Sequence, residues 1–417
     1  MLRLLHTSDW HLGHTLYDLP RRHEHERFLA WLGEVLEREA IDALIVAGDV
    51  FDGANPPADA QEQFYGFLAK TRARLPALDI VVVGGNHDSA ARLDAPDPLL
   101  RALGIHVVGG LPRQSGELDT ERLLVPLRNR SGEVEAWVAA VPFLRPVDLP
   151  RVEDEGVDPL VEGMRRAYAE VLAAARARLA PGQALVATGH CYMVGTALSE
   201  LSERRILGGN QHALPVDIFP SDVAYVALGH LHKAQKVGGQ DRVRYSGSPI
   251  PLSMSERGYL HQVRIVELER GALLGETRAL EVPRGVELVS IPNTGAAPLD
   301  EVLTALAALP ARQADTSEDA RPYLQVEVLL DKPTPTAKQR IEEAMRGKEA
   351  RLVRIGQHTL GQGQALAETQ AARTLSDITP DEVFSACYER THATAPPAEL
   401  VEAFHVLVER AQHEASR

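Results

Sequence analysis

The chain has 417 residues, 44 Lys+Arg against 58 Asp+Glu, a formal charge of −14 and two cysteines. That length exceeds what one core usually fills, so two or three domains are expected. A composition 44% hydrophobic and 24% charged excludes disorder as a description of the whole chain, and Cys191 and Cys387 are too few for a disulfide scaffold. No stretch approaches the ~20 apolar residues of a membrane span, and the opening Met1 to His6 is too short for a signal peptide's apolar core. A reducing, cytoplasmic location is therefore expected. The acidic balance argues against attachment to nucleic acid by bulk charge, although it leaves room for a local basic rim.

Residues 2–7 read as a short apolar strand. Residues 27–39 follow as a helix, with Phe28, Leu29, Trp31, Leu32, Val35 and Leu36 at helical spacing. Residues 41–47 and 80–83 are β-rich runs, 160–179 is a long Ala-rich helix, and 184–188 and 223–228 are two more buried strands. Such alternation implies a sheet with helices on its faces. The texture changes near Val282-Pro283-Arg284-Gly285. Beyond it, strand, helix, strand, helix and strand are expected at 286–291, 298–308, 324–328, 336–345 and 352–355, with loops at 311–318 and 361–369. This is enough for a compact second unit. Two short helices close the chain, one with Val383, Phe384, Cys387 and Tyr388, the other with Leu400, Val401, Phe404 and Leu407. Neither is long enough to be stable alone, so both must dock on something. The expected division is 1–283, 284–360 and a helical segment 374–417.

Five polar clusters each follow an apolar strand directly: Asp9-Trp10-His11, Gly48-Asp49-Val50-Phe51-Asp52, Gly85-Asn86-His87-Asp88, Gly189-His190 and Gly229-His230-Leu231-His232. Ligands in such sheets bind beyond the carboxyl ends of strands, so the five would converge on one place. Two aspartates, an asparagine and four imidazoles are too many ligands for one ion. They suit two divalent cations ~3.5–4 Å apart with a bridging carboxylate. A mixed nitrogen and oxygen set without thiolate favours Mn²⁺ or Fe²⁺ over structural zinc. Cys191 adjoins His190 but has no CxxC partner, and packing is its expected role.

Together these motifs resemble the calcineurin-like metallophosphoesterase superfamily. Their surroundings are similar to the nuclease subunits of the bacterial SbcCD complexes: His6-Thr7-Ser8-Asp9-Trp10-His11-Leu12-Gly13, Gly85-Asn86-His87-Asp88-Ser89, Ala227-Leu228-Gly229-His230-Leu231-His232-Lys233 and Tyr245-Ser246-Gly247-Ser248-Pro249-Ile250-Pro251-Leu252-Ser253. The resemblance implies an α/β fold: a phosphoesterase β-sandwich flanked by helices, a small α+β capping domain and C-terminal helices. It implies that Asp9, His11, Asp49 and His232 hold one Mn²⁺ (Mg²⁺ or Fe²⁺ as alternatives) and Asp49, Asn86, His190 and His230 a second. His87 would act on the scissile phosphate or leaving oxygen without binding metal, and Asp88 could orient His87. Asp52 stands where archaeal relatives carry His; a hydrogen bond to a ligand histidine is the preferred reading. The activity implied is hydrolysis of DNA phosphodiesters, exonucleolytic on duplex ends and endonucleolytic on single strands or hairpins, in repair and recombination. The partners implied are DNA, an SbcC-type ATPase with a coiled coil, and a second copy of the chain in a homodimer within a heterotetramer.

Plainer readings stand beside these. Of the 16 histidines, those outside the clusters, including His6, His14, His106 and His212, are expected at the surface or in ordinary packing. His23-Glu24-His25-Glu26 opens a helix and is expected to be solvated. Arg21, Arg22, Arg92, Arg204, Arg205 and Lys233 could meet DNA phosphates or be plain surface charges. The helix at 27–39 could pack on the sheet or, as the family suggests, help form the dimer. Two other functions stay open: a phosphatase or cyclic-nucleotide phosphodiesterase with the same chemistry, and a scaffold protein with a dead site.

Overall fold

The computed structural model describes residues 1–115, 117–152, 156–197, 213–332 and 334–359, with a few isolated positions between 384 and 404. Strand–helix alternation suggests one sheet; the chain builds two and packs them face to face. The first runs Ala272–Leu273, Gln262–Glu269, Leu2–Thr7, Ala43–Ala47, Asp79–Val83, Ile105–Val108, with Arg278–Glu281 also paired to Gln262–Glu269. The second runs Gln235–Val237, Gln240–Tyr245, Val223–Gly229, Ala184–His190, Val134–Ala139, Leu124–Arg128. Leu2–Thr7, Ala43–Ala47 and Asp79–Val83 are parallel neighbours, and so are Ala184–His190 and Val223–Gly229.

Strand periodicity explains the layers. Leu2, Leu4, Ala43, Ile45, Val81 and Val83 join Val138, Val186 and Val226 of the second sheet in one core. The alternate residues Leu5, Leu44, Val46, Ile80 and Val82 pack with Phe28, Leu32, Phe64 and Phe67 of helices Arg22–Arg38 and Ala58–Arg74. Both faces of these strands are buried, which is why they read as continuous apolar runs. Helix Pro159–Arg176 packs Met164, Tyr168, Val171 and Leu172 into the same apolar cluster alongside the second sheet, and its Asp158 cap accepts from the Leu160 and Val161 N–H groups.

A third sheet sets Leu288–Ile291, Ala297–Pro298 and Arg351–Thr359 parallel to a central Tyr323–Leu330. Helices Leu299–Ala307 and Ala337–Ala344 supply Val302, Leu306 and Ile341 to its core. A small cluster of Leu16, Met254, Val286, Leu288 and Tyr323 joins this sheet to the sandwich.

Four expectations are corrected. The first helix starts at Arg22, a turn before its apolar run, because Glu24 and His25 continue the buried stripe of Phe28, Leu29, Leu32, Val35 and Leu36. Glu24 and His25 are therefore not solvated, although Glu26 is. Arg21 is no phosphate contact: it is 1% exposed and paired with Glu24. The strands Leu124–Arg128, Val134–Ala139, Gln240–Tyr245 and Gln262–Glu269 lie outside the expected set, since Pro126 interrupts the first and charged residues interrupt the others.

Positions 384, 385, 387, 388, 400, 401 and 404 are helical, and Phe384 stacks on Phe404 with ring centroids 4.2 Å apart. The rest of 374–417, the loop at 361–369, and Arg204, Arg205 and His212 lie outside the described residues. Among the described residues, no helix is long and apolar enough to cross a membrane.

Candidate metal centre

The five clusters do converge. Three leave the carboxyl ends of Leu2–Thr7, Ala43–Ala47 and Asp79–Val83 in the first sheet; two lie at the ends of Ala184–His190 and Val223–Gly229 in the second. The site therefore straddles one edge of the sandwich. Bringing donors this close strains the backbone: Asp9, His11, Asp49 and His230 have φ of 53°, 47°, 48° and 101°. Such angles are uncommon for residues with a Cβ and persist only where the surroundings enforce them. Gly48 has φ of +92°, and a Cβ there would stand 2.2 Å from His190 Nδ1, so a side chain is excluded twice over. Gly85 likewise lets the chain pass beside Asp49, whose Oδ1 would lie 2.2 Å from an added Cβ.

Three imidazoles are held by Nδ1, leaving Nε2 for the site. His190 donates to the Ala47 carbonyl at 2.9 Å, His11 to Asp52 Oδ1 at 3.1 Å and His232 to Glu256 Oε1 at 2.9 Å. Such outer partners fix a ring's tautomer and direction. His190 Nε2 then lies 3.0 Å from Asn86 Oδ1 and 3.2 Å from Asp49 Oδ2. His230 Nδ1 is 3.0 Å from the same Asn86 oxygen. His11 Nε2 is 3.6 Å from Asp49 Oδ2 and is buried with no hydrogen-bond partner. Asp9, His11 and His232 form one group able to share an ion, and Asp9, Asp49 and His190 another.

With the His190 Nδ1 proton committed to a carbonyl, its Nε2 lone pair faces oxygen lone pairs. Only a proton or a cation resolves that repulsion. Without a cation the proton does so: burial disfavours charge on His190, yet Asp49 outweighs it and raises the group to about 9. Burial would raise the Asp49 carboxyl, but His190, His87 and His11 hold it well below the usual range. Burial, then the charge of His190, lowers His230 to about 3. Neutral imidazoles and ionised carboxylates around orphaned lone pairs are what a divalent cation takes, so the donor set fits a metal.

His87 lies beside this group, its ring centroid 4.7 Å from that of His11. Its backbone N–H donates to Asp49 Oδ1 at 2.8 Å, and Nδ1 donates to the Asp52 carbonyl at 2.8 Å. Asp52 thus holds His11 by its side chain and His87 by its backbone. The expectation that Asp88 orients His87 is corrected. The Asp88 carboxylate accepts from the N–H groups of Gly85, Val50 and Phe51 at 2.8, 3.1 and 2.9 Å, tying two loops together. Burial, then the charge of Asp49, raises it to about 6.

Cys191 is buried 3.8 Å from Met193 Sδ, and desolvation pushes its thiol to about 12, so it packs as expected. His6 is a satisfied core residue, bonded to Tyr225 and the Leu228 carbonyl. Arg92 and Lys233 are exposed, the latter 5.5 Å over the Tyr259 ring. Sequence reasoning misses Glu256. It lies just past the flagged Tyr245 to Ser253 stretch, and its only signal is an acid in an apolar and serine-rich run.

Residues 2–234 match the calcineurin-like phosphoesterase family, and 284–392 match the family described as type 5 capsule protein repressor C-terminal domain. The SbcD subunit of the SbcCD nuclease from Rhodobacter capsulatus is 42% identical over 391 residues, covering 93% of this chain and 94% of that protein. Its counterpart from Escherichia coli (strain K12) is 32% identical over 397 residues, covering 92% of each. That from Bacillus subtilis is 36% identical over 282 residues, covering 65% of this chain and 67% of that protein.

Proposed function

Because this chain belongs to the SbcD family of SbcCD nuclease subunits, within the calcineurin-like phosphoesterases, we propose that it hydrolyses DNA phosphodiester bonds at this centre with Mn²⁺ as the working cation. It acts as an exonuclease on duplex ends and an endonuclease on single strands and hairpins, in cytoplasmic DNA repair and recombination. One observation carries the reading: ring nitrogens and side-chain oxygens from separate strand ends stand 3.0–3.6 Å apart around one buried point, with His11 Nε2 left without a hydrogen-bond partner.

Asp9, His11, Asp49 and His232 would hold one cation; Asp49, Asn86, His190 and His230 would hold the other. Cations so held supply charge for the phosphate oxygens and lower the pKa of the attacking water. Asn86 contributes an oxygen without negative charge, which keeps the centre attractive to a phosphodiester. Asp52 and Glu256 fix the rings of His11 and His232. The proton of His87 that can be delivered is the one on Nε2, because Nδ1 is committed to the Asp52 carbonyl. From there it stabilises charge on the phosphate or protonates the departing sugar oxygen. Asp88 keeps the Gly85 and Val50–Phe51 turns together and so sets the His87 N–H against Asp49.

The unit at 284–360 caps the centre and helps orient DNA, and the segment at 374–417 docks an SbcC-type ATPase in a heterotetramer built on a homodimer. The test is Mn²⁺-dependent digestion of labelled hairpin and linear duplex DNA, with and without that ATPase and ATP, beside a small phosphodiester. Hairpin opening and loss of duplex ends are expected. Turnover of the small diester with both DNAs intact would move the protein to the phosphatase reading. His87→Ala should still bind Mn²⁺ and lose DNA cleavage.

A further inference from the structure

Three distant segments meet at one buried ion pair. Arg21 donates from Nε and Nη2 to the two oxygens of Glu24 at 2.7 and 2.5 Å, and from Nη1 to the Pro251 carbonyl. Glu24 Oε1 also accepts from the Tyr323 hydroxyl at 3.1 Å. Tyr323 belongs to the central strand of the third sheet. The guanidinium carbons of Arg21 and Arg351 lie 5.6 and 4.2 Å from its ring centroid. Desolvating two charges offsets most of their attraction, so a buried pair is weak evidence for stability and better suited to fixing a geometry.

The accepting carbonyl belongs to a short loop that ends on the metal centre. Leu252 N–H donates to Glu256 Oε2 at 2.7 Å, and Glu256 Oε1 accepts from His232 Nδ1 at 2.9 Å. Glu24, His232 and Glu256 are 2%, 3% and 0% exposed, so water does not loosen this chain of contacts. Met254, in the same loop, clusters with Leu288 and Tyr323 of the third sheet. A polar and an apolar connection therefore run in parallel between that sheet and one loop.

We infer that Arg21, Glu24 and Tyr323 are positioning residues through which the third sheet sets the placement of His232, by way of the 251–256 loop and Glu256. A shift of the sheet moves the Tyr323 hydroxyl and the surface beneath Met254. Arg21 carries the shift to the Pro251 carbonyl, and the Leu252–Glu256 bond carries it to the carboxylate that holds the ring. Close-packed interiors transmit such displacements rather than absorb them. The inference rests on the reading of His232 as a cation ligand.

The test uses the full chain and Mn²⁺ alone, followed by calorimetry and electron paramagnetic resonance, with ¹⁵N-imidazole spectra of the cation-free protein. Failure of the unaltered chain to bind Mn²⁺ would remove the metal reading itself. Given binding, Glu256→Gln should weaken one of two cation equivalents by about 10- to 100-fold, the range for partners of ligand histidines. Tyr323→Phe, which keeps the ring, should weaken that same equivalent by a smaller factor and shift the His232 resonances. Its kcat on DNA should fall while KM holds. Because both act along one chain of contacts, the double variant should bind no worse than Glu256→Gln alone. Unchanged binding and His232 resonances in Tyr323→Phe, or effects that simply add, would overturn the inference. If Tyr323→Phe loses its circular dichroism, Glu24→Gln replaces it in the same comparison.

Discussion

At the carboxyl edge of the sandwich, four residues with side chains hold positive φ, and Asp9, His11, Asp49, His190, His230 and His232 are buried. In the third sheet the positive-φ positions among the described residues are glycines, Gly295 and Gly347, and the core is Val302, Leu306, Leu324, Val326, Val328 and Ile341. One region concentrates strained backbone and buried donor atoms; the other has an apolar core and strains no residue that carries a side chain. The difference marks the carboxyl edge as the candidate site, because strained backbone and buried polar atoms persist only where something offsets them. It also explains why the centre sits on strands buried on both faces, which resist relaxation.

The largest test removes the shared carboxylate. Asp49→Ala should abolish stoichiometric Mn²⁺ binding and cut DNA cleavage by roughly 10³-fold, the scale of losing a principal electrostatic group. Retained activity would mean that the strained edge is not the centre. Gly48→Ala comes next. With φ of +92° and a Cβ 2.2 Å from His190 Nδ1, it should destabilise the sandwich by about 3 kcal/mol or more in urea unfolding and displace His190. Leu306→Ala, on the helix that packs on the third sheet, should cost a similar ~2–5 kcal/mol, yet leave the Asn86, His190 and His230 side of the centre able to bind its cation. Loss of both cations there would erase the contrast between the regions.

Proton competition probes the same contrast. In cation-free protein His190 is raised to about 9 by Asp49 despite burial, so a cation must displace its proton. Mn²⁺ affinity should climb with pH up to about tenfold per unit until pH 9, with proton release visible when calorimetry is repeated in different buffers. The sign for stability is opposite. A raised folded pKa stabilises the cation-free protein fully below the unfolded value near 6.5 and loses that contribution as pH rises through 9. No proton release at pH 7 would sink the assignment. The smallest effect is Cys191→Ala, which should change stability by about 1 kcal/mol and leave the Mn²⁺ stoichiometry unaltered, because the thiol packs and does not ligate.

The motifs are legible because each follows an uninterrupted apolar run, and a strand end is one of the few places where such a run delivers side chains to a common edge. His6 and His190 both follow or sit in such runs, yet one bonds Tyr225 and the other faces Asp49. Membership of a cluster, and not burial, separates them. Arg21, Glu24 and His25 mislead because charged residues at a helix start are usually solvated, whereas here Arg21 and Glu24 meet Tyr323 of the third sheet and His25 lies against Trp10 and His14 of the sandwich. Glu256 is silent because no local spacing connects it to His232, 24 positions earlier. Asp88 stands next to His87 in sequence, whereas its oxygens answer to the backbone of a loop 38 residues away.

Local pattern suffices for the strands that end in the candidate ligands, the donor atoms those ligands offer and, the two-residue strand Ala297–Pro298 apart, the β-α-β-α-β order of the small unit. These follow from short-range periodicity and from which atoms can bind a cation. Three features emerge only in the folded chain: the division of the strands between two sheets, the choice of lone pairs that face each other, and the buried Arg–Glu pair that joins the third sheet to the loop behind His232. Those outcomes depend on contacts between segments hundreds of residues apart, such as Tyr323 with Glu24, which no local pattern encodes.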